Sequence, residues 1–378
     1  MITPAGLPVT ERKRRSPGLP SPTPLSSGNG AAAVRPVGWG IVGCGWVARD
    51  HLLPGLRATA GARLVAACDR DPAAAARLAA GDDDVRTTGD LATLLDAPNL
   101  DAVYVATPNS AHLPVVREVA AAGVPVLCEK PLAADVDDAA AIVGACAGTL
   151  AATAFDQRFH PAHRRIAELV AAGGLGTVTA VRIVYACWLP PDWSPDGAPH
   201  DNWRVDPARA GGGALVDLAP HGIDLVGALL GGDDLEQLNV VLQRRVHDYP
   251  VDDGAVLAGR TAGGTLFSGH VAFNTPDAMP RRRLDVVGTR AQLVAEDTMG
   301  QTAGGRLTMI DATGGATDVP FDTVTSPFAA QLAAFSATVA GAAGWPWPLE
   351  RDLRLHRLLH AAWSASETPM HTAVERSR

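Results

Sequence analysis

The sequence is nearly devoid of lysine, with two lysines against 30 arginines in 378 residues. Lys13 lies in a proline-rich N-terminal stretch, so Lys130 is the only lysine in the rest of the chain. Arginine can replace lysine wherever a fixed positive charge is enough, but it cannot release its proton and its guanidinium is bulkier. Lys130 is therefore either a chance survivor on the surface or a residue that arginine cannot replace, and composition leaves both interpretations open.

Other scarce features exclude whole classes of protein. No apolar run approaches the roughly 18 residues of a membrane span, so we expect no membrane partner. The five cysteines include no Cys-x-x-Cys pair, which indicates buried free thiols in a reducing, cytoplasmic compartment. No apolar segment follows Arg14-Arg15, which argues against export. The net charge of −8 argues against nucleic acid as a partner, because phosphate binding needs a basic surface.

Three regions follow from composition and hydrophobic pattern. Residues 1–36 are rich in Pro, Ser and Gly and are predicted to be a disordered tail. Strand–helix alternation over 37–157 predicts an α/β domain of the Rossmann type with a doubly wound parallel sheet. Residues 158–378 predict an α+β domain with a large, open, mainly antiparallel sheet, closed by helices at 327–341 and 350–366.

The individual elements are predicted from the same patterns. The predicted parallel strands span 37–43, 62–69, 101–107, 124–129 and 150–155. The predicted strands of the second sheet span 177–187, 237–246, 254–261, 264–274, 282–288, 291–296 and 305–310. Among the predicted helices are those at 47–58, 71–80 and 213–230.

A glycine-rich turn joins the first predicted strand to the first helix. Its sequence, Gly43-Cys44-Gly45-Trp46-Val47-Ala48, has the form G-x-G-x-x-A, in which small residues let the backbone approach a pyrophosphate at a helix N-terminus. Asp69 ends the second strand, where a carboxylate can accept hydrogen bonds from an adenosine ribose. These features predict a nicotinamide dinucleotide site, and the alternative is a plain tight turn with a capping aspartate.

The residues after the second strand address the choice of cofactor. Asp69 would repel the 2′-phosphate of NADP, which favours NAD. The adjacent Arg70 could accommodate that phosphate, so NADP remains possible.

Five short segments resemble the Gfo/Idh/MocA family of oxidoreductases, which includes glucose–fructose oxidoreductases and inositol dehydrogenases. They are Ala-Thr-Pro-Asn-Ser-Ala-His (106–112), Cys-Glu-Lys-Pro-Leu (128–132), Gln-Arg-Phe-His-Pro (157–161), Trp203-Arg204, and Gly-Gly-Gly-Ala-Leu-Val-Asp-Leu-Ala-Pro-His (211–221). The resemblance covers about residues 37–366. The combination of Glu-Lys-Pro with the glycine run that ends in Asp217 and His221 is its most specific part.

The resemblance implies an NAD(P)-dependent oxidoreductase that acts on sugars, cyclitols or related polyols. It implies that Lys130 contacts substrate and nicotinamide, that Asp217 and His221 belong to the catalytic set, and that Trp203 and Arg204 lie near the cofactor. The other candidate cofactor residues in these segments are Thr107, Asn109, His112, Glu129, Lys130 and Arg158. His112 could instead only cap a helix, and Glu129 could instead form a structural ion pair.

The chemistry of such a reaction suits these residue types. Hydride transfer at a carbinol also moves a proton on its oxygen, and histidine titrates near neutrality. Asp217 and His221 are four residues apart on a predicted helix and share one face, so the carboxylate could orient the ring or bind a substrate hydroxyl. The compact ammonium of Lys130 could stabilise a developing alkoxide. The alternative for His221 is a structural histidine.

Two further patterns have open interpretations. His160 and His163 are three residues apart but have no companion ligands at suitable spacing, so we expect no metal site. The run Arg281-Arg282-Arg283 next to a predicted strand is either a solvated edge, an interface, or a contact for a phosphorylated substrate.

Alternative functions and assembly also follow from the resemblance. Some relatives hydrolyse glycosides by transient oxidation and elimination with bound NAD. Others use the fold as a dinucleotide-sensing regulator without enzymatic activity. Family members commonly pair through the sheet of the second domain, so we expect a homodimer or homotetramer.

Overall fold

A computed structural model describes residues 35–195 and 201–367. The predicted tail, residues 1–36, lies outside the described residues apart from Arg35 and Pro36. All five cysteines are free, and four of them are buried, as predicted. Across the described part of the chain, no helix combines the length and the apolar character that crossing a membrane would require.

The first domain contains six strands. They are β1 Val37–Val42, β2 Ala62–Cys68, β3 Arg86–Thr88, β4 Ala102–Val105, β5 Val126–Glu129 and β6 Ala151–Ala154. All are parallel and lie in the order β3-β2-β1-β4-β5-β6. The doubly wound parallel sheet is thereby confirmed, although the short β3 was not predicted. The strand order reverses between β1 and β4, and in such sheets the crevice for ligands opens at the carboxyl ends of these strands.

Five α-helices connect these strands: α1 Leu53–Ala58, α2 Pro72–Leu78, α3 Leu91–Leu95, α4 His112–Ala121 and α5 Val136–Ala145. Three of them begin at an aspartate whose carboxylate accepts a backbone N–H in the first turn, namely Asp71, Asp90 and Asp135. The predicted helix over 47–58 differs in detail, because a π-helical turn over Ala48–Leu52 precedes α1.

The described residues of the second domain form eight strands. They are β7 Val178–Ala186, β8 Leu235–Gln243, β9 Gly254–Thr261, β10 Leu266–Ala272, β11 Arg282–Gly288, β12 Ala291–Glu296, β13 Arg306–Asp311 and β14 Ala316–Asp318. Their order is β14-β13-β12-β11-β7-β10-β9-β8, and every pair is antiparallel except β7 with β10. The mainly antiparallel sheet is confirmed, and β14 is an addition to it.

The helices of the second domain are α6 Pro161–Ala171, α7 Pro207–Ala210, α8 Ala214–Leu229, α9 Pro327–Val339 and α10 Leu349–Glu367. Helix α8 packs on one face of the large sheet, and all of its residues except Asp217 and Ala228 are buried. The Asp252 carboxylate accepts the N–H groups of Gly213 at 2.9 Å and Leu215 at 2.7 Å, which fixes where α8 begins.

The last two helices tie the two domains together. Helix α9 packs on α1 of the first domain, where the ring of Trp39 on β1 lies 5.6 Å from that of Phe335. The Trp39 Nε1–H also donates to Ser336 Oγ at 3.0 Å. Helix α10 packs against both β8 and α5. The chain therefore returns to the first domain after it has built the large sheet.

Arg158 was expected to contact the cofactor, but the structure places it in the core. Its guanidinium makes two hydrogen bonds to Asp224 on α8, at 2.7 and 2.6 Å, and one to Asp352 on α10 at 2.7 Å. All three side chains are at most 1% exposed. Charges removed from water need paired, hydrogen-bonded partners, so Arg158 is committed to joining α8 and α10.

We expect the Arg158→Met variant to lose about 3–5 kcal/mol of unfolding free energy, because Asp224 and Asp352 would stay buried with less compensation. Urea denaturation followed by circular dichroism measures this loss. The matched control is Arg165→Met, whose partner Glu168 is exposed on α6, and its expected cost is below about 1 kcal/mol. Equal losses in the two variants would contradict the structural role of Arg158.

Candidate active site

The glycine-rich turn has the shape that a dinucleotide loop requires. Gly43 has φ +91°, and a Cβ there would lie 2.6 Å from the carbonyl oxygen of Ala106, the residue that follows the neighbouring strand β4. A Cβ at Gly45 would meet no atom within 4 Å, so the space above this residue is open. Gly43 therefore serves the turn itself, and Gly45 faces the space that a pyrophosphate needs.

Asp69 is held at the base of this turn. Its Oδ2 accepts the Cys44 N–H at 2.7 Å, and its Oδ1 accepts the Asp71 N–H at 2.9 Å. Each carboxylate oxygen has a further lone pair, so both can also accept a ribose hydroxyl. The Arg70 side chain is exposed beside it. The predicted pairing of an acid with the glycine turn is thus present, with an arginine next to it.

An open cleft with a cavity volume of about 210 Å³ lies between the two domains. The predicted site residues that line it are Trp46, Val47, Thr107, Asn109, Glu129, Lys130, Trp203, Arg204, Asp217 and His221. The other predicted site residues lie outside its lining, namely Gly43, Gly45, Asp69, Arg70, His112 and Arg158. Ten of the residues predicted from separate segments therefore meet in one place.

Lys130 and Asp217 form a close pair in the cleft. The Lys130 Nζ donates to Asp217 Oδ1 at 2.7 Å and to the Asp217 backbone oxygen at 3.0 Å. Burial alone would raise the pKa of Asp217, but the charges of Lys130 and Arg204 hold it below its ordinary value. The Lys130 side chain is only 13% exposed, which excludes the interpretation that this lysine has been retained by chance on the protein surface.

Arg204 lies between two aromatic rings, next to the Lys130–Asp217 pair. Its guanidinium carbon is 4.6 Å from the ring centroid of Trp203 and 5.5 Å from that of Trp46. Its Nε is 3.8 Å from Asp217 Oδ2. Arg204 therefore connects the helix that follows the glycine turn to the carboxylate that holds Lys130.

His221 faces a carboxylate that the sequence analysis missed. Its Nδ1 lies 3.1 Å from Asp156 Oδ1, and both side chains are at most 5% exposed. Gln157 Nε2 donates to the other oxygen of Asp156 at 2.8 Å. Although burial would raise the pKa of Asp156, its contact with His221 holds that pKa below the ordinary value. Asp156, not Asp217, is thus the acid that can orient the His221 ring.

A signal for Asp156 was present in the sequence. Glu129 ends β5 and Asp156 follows β6, and the carboxyl ends of parallel strands meet at one edge of a sheet. Glu129 is also in place: its Oε1 accepts the Tyr104 hydroxyl at 2.7 Å, and burial raises its pKa. Glu129, whose pKa is raised, and Asp156, whose pKa is lowered, therefore both lie near Lys130.

The remaining histidine candidates are structural. His112 is fully buried, and its ring nitrogens lie 3.2 and 3.0 Å from the carbonyl oxygens of Leu132 and Thr107, so it braces the loops beside the cleft. Burial lowers the pKa of His160 to about 4 and that of His163 to about 3, which keeps both rings neutral. Within residues 35–195 and 201–367, no group of three His, Cys, Asp or Glu side chains is placed to hold a metal ion.

The cleft offers hydrogen-bonding atoms suited to a bound dinucleotide. Thr107 Oγ1, Trp46 Nε1 and Arg204 Nη1 are buried and have no hydrogen-bond partner among the described residues. Buried polar atoms are normally paired, so these three fit a ligand that brings its own polar groups. With the open glycine turn and Asp69, this donor set fits a nicotinamide dinucleotide.

Comparisons with known proteins agree with this arrangement. The model of an oxidoreductase family with an NAD-binding Rossmann fold, Gfo/Idh/MocA, matches residues 37–152, and the model of the Gfo/Idh/MocA C-terminal domain matches residues 163–294. A 1,5-anhydro-D-fructose reductase of Ensifer adhaerens is 30% identical over 80% of this chain and 88% of its own length. An inositol 2-dehydrogenase of Saccharopolyspora erythraea is 29% identical over 62% of this chain and 66% of its own length.

A solved structure shows the same fold. The aldose-aldose oxidoreductase from Caulobacter crescentus superposes with a TM-score of 0.76 at 23% identity, over 88% of this chain and 98% of that one. The two family models together span more than half of the sequence and include both domains. The chain therefore belongs to the Gfo/Idh/MocA family and is an NAD(P)-dependent oxidoreductase.

Proposed function

We propose that the protein interconverts a CH–OH group and a ketone carbon in a sugar, cyclitol or related polyol, with NAD as the preferred cofactor. The observation that carries this proposal is the meeting of Lys130, Asp217 and His221 in one cleft beside the glycine turn. The names of the reductase and the inositol dehydrogenase support the substrate class. Residues 37–157 would then bind the dinucleotide, and residues 158–378 would bind substrate and mediate assembly.

The cofactor would be held by the glycine turn and Asp69 at its adenosine end, and by Thr107 and Trp46 further along the cleft. When bound, it supplies the hydride acceptor for oxidation or the hydride donor for reduction. Proton transfer and the stabilisation of charge on the substrate would be carried out by side chains of the protein.

His221 moves the proton. Its Nδ1 faces Asp156, which leaves Nε2 to accept the proton of the substrate hydroxyl during oxidation or to return it during reduction. The Asp156 carboxylate holds the ring in one orientation and stabilises the imidazolium that forms.

Lys130 stabilises charge on the substrate oxygen. An ammonium has three N–H donors, and Asp217 accepts two of them. The third remains for the reacting oxygen, where a positive charge stabilises the developing alkoxide. Asp217 positions this donor because it binds Lys130 with both its side chain and its backbone.

A cofactor and substrate screen tests the proposal. NAD and NADP are each combined with a panel of aldoses, keto-sugars and inositols, and NAD(P)H absorbance is followed at fixed pH. We expect steady reduction of NAD by at least one polyol. Glycoside cleavage without net NADH formation, or no turnover with any member of the panel, would contradict it.

Cofactor choice is expected to depend on Asp69. The Asp69→Ser variant should lose roughly 10- to 100-fold in kcat/KM for NAD, because a charged acceptor for the ribose is removed, while its kcat/KM for NADP rises relative to NAD. Initial rates at varied cofactor concentration give both values. Asp71→Ser, two residues away in the exposed cap of α2, is the control and should leave the ratio unchanged. An unchanged ratio in Asp69→Ser would exclude its role in cofactor choice.

We also propose that two copies pair through the outer face of the large sheet. Helix α8 covers the other face, while Val241, Val256 and Leu266 on β8, β9 and β10 are 70%, 53% and 58% exposed. Exposed apolar residues on adjacent strands favour a protein partner over water. Because the sheet continues across eight strands, this face is large enough for a second copy of the chain.

The Val256→Glu variant is expected to shift the protein from dimer or tetramer to monomer, because a buried unpaired charge at an interface costs several kcal/mol. Light scattering after size-exclusion chromatography measures the mass. Val324→Glu changes an equally apolar residue that is 86% exposed and lies off the strands, and it should leave the mass unchanged. A monomeric wild-type protein would contradict the proposed interface.

We further propose that the protein is cytoplasmic and that it has no nucleic-acid partner. Buried unpaired thiols support a reducing, cytoplasmic environment. The acidic net charge supports a small-molecule enzyme without a nucleic-acid partner.

A further inference from the structure

The three-arginine run is divided by the pleat of β11. Arg283 points to the outer face of the sheet and pairs there with Asp285 and Glu296. Arg282, the first residue of β11, lines the cleft, and so does Arg281 just before it. Side chains alternate between the faces of a strand, which explains why Arg282 and Arg283 have opposite environments. Two arginines of the run, Arg281 and Arg282, therefore line the cleft.

Arg282 differs from the other basic side chains of the cleft in its partners. Lys130 and Arg204 are near Asp217, and Arg281 pairs with Asp277. For Arg282 the described residues offer no carboxylate within ion-pair distance. A half-buried guanidinium without an anion is unfavourable unless a ligand supplies one.

The position of Arg282 is fixed by packing. Its guanidinium carbon lies 5.9 Å from the ring centroid of Tyr185 on β7. On another side it touches the backbone of Gly300, where a Cβ would overlap the guanidinium. Gln157 holds Gly300 through its carbonyl oxygen at 2.8 Å and its N–H at 3.3 Å. The Arg282 Nε is buried and has no hydrogen-bond partner in the described part of the structure.

Arg282 also lies close to the proposed acid/base. The Tyr185 ring that borders the guanidinium also meets the His221 ring edge-on, with centroids 5.3 Å apart. One aromatic ring thus separates the two groups along the wall of the cleft. A substituent on the same sugar ring as the reacting carbon can therefore reach Arg282 while His221 accepts the proton of the reacting hydroxyl.

We propose that the substrate is a sugar acid whose carboxylate binds Arg282. The inference rests on the proposed function, because it specifies the substrate class of the same cleft. A planar guanidinium matches a carboxylate, and one unpaired positive charge matches a monoanion. A phosphate ester carries close to two negative charges and would need a second unpaired cation, but Arg281 is already paired with Asp277. Uronates and other acids of the hexose series fit this description.

Matched pairs of substrates test the proposal. The probes are D-glucuronate with D-glucose, D-galacturonate with D-galactose, and D-glucose 6-phosphate as the phosphorylated alternative. Each is assayed with NAD for kcat/KM, and its dissociation constant is measured by tryptophan fluorescence in the presence of saturating NAD. The wild-type protein is compared with Arg282→Gln and with Arg283→Gln, whose side chain lies on the opposite face of the sheet.

We expect at least one acid to exceed its neutral partner by roughly 10- to 100-fold in kcat/KM and in affinity, as is typical of a charged hydrogen bond. Arg282→Gln should abolish this preference, so that the acid and its neutral partner give similar kcat/KM, while Arg283→Gln should keep it. Equal affinity for acids and neutral sugars would overturn the proposal even where turnover confirms the oxidoreductase. A preference for the 6-phosphate would overturn the choice of a carboxylate. Where no probe is turned over, the proposed function fails, and the binding arm still decides the role of Arg282.

Discussion

The Lys130→Arg variant is expected to lose about 10²- to 10³-fold in kcat/KM while it keeps its positive charge. The Lys130 Nζ occupies a site that is 13% exposed, where two of its three N–H bonds go to Asp217. A guanidinium is larger and presents its donors as a rigid planar fork. It therefore cannot donate to both Oδ1 and the backbone oxygen of Asp217 and still place one donor at the substrate oxygen. The loss should fall mainly on kcat, because the missing interaction forms as alkoxide charge develops.

Steady-state kinetics with a substrate found in the screen measure this effect. The other lysine provides the control, since Lys13→Arg makes the same chemical change in the N-terminal stretch and should leave kcat/KM unchanged. Thermal unfolding of both variants separates a catalytic loss from a loss of stability. Near-normal turnover in Lys130→Arg would show that a fixed charge is sufficient and would remove the role given to Lys130.

Much of the first domain could be predicted because its signals are local. The apolar runs of β1, β2, β4, β5 and β6 are bounded by glycine or by acids, and the glycine turn follows β1 directly. The three-residue strands β3 and β14 are too short to show a period in the sequence. They exist because a neighbouring strand, β2 or β13, offers its free edge.

The sequence predicted which residues form the site more accurately than it predicted which of them contact each other. The spacing of Asp217 and His221 placed them on one face of α8, but it could not show that Lys130 takes Asp217 while Asp156 takes His221. Asp156 and Arg158 belong to a single 3₁₀ turn, which directs one to the cleft and the other to the core. Only the packing of α8 and α9 against that turn, with the hydrogen bonds of Arg158 to Asp224 and Asp352, decides which residue faces which side, and this information is not local.

His221→Asn is expected to lower kcat/KM by about 10²- to 10⁴-fold and to abolish the acidic limb of its pH dependence in the oxidation direction. An asparagine can keep a hydrogen bond to Asp156, but it cannot accept the proton of the substrate hydroxyl at any pH used for the assay. Initial rates between pH 5 and 9 give the profile. A profile with the wild-type shape would assign the proton to another group.

Asp156→Asn tests the same proton transfer from the other side, and we expect its kcat/KM to fall by about 10-fold or more. The carboxylate of Asp156 lies 3.1 Å from His221 Nδ1 and stabilises the imidazolium that forms during oxidation, and asparagine cannot supply that charge. Initial rates in the oxidation direction measure the loss. Asp90→Asn, an exposed cap of α3 at which asparagine is equally suitable, is the control and should leave kcat/KM unchanged. An unchanged kcat/KM in Asp156→Asn would show that the negative charge of this carboxylate does not contribute to the reaction.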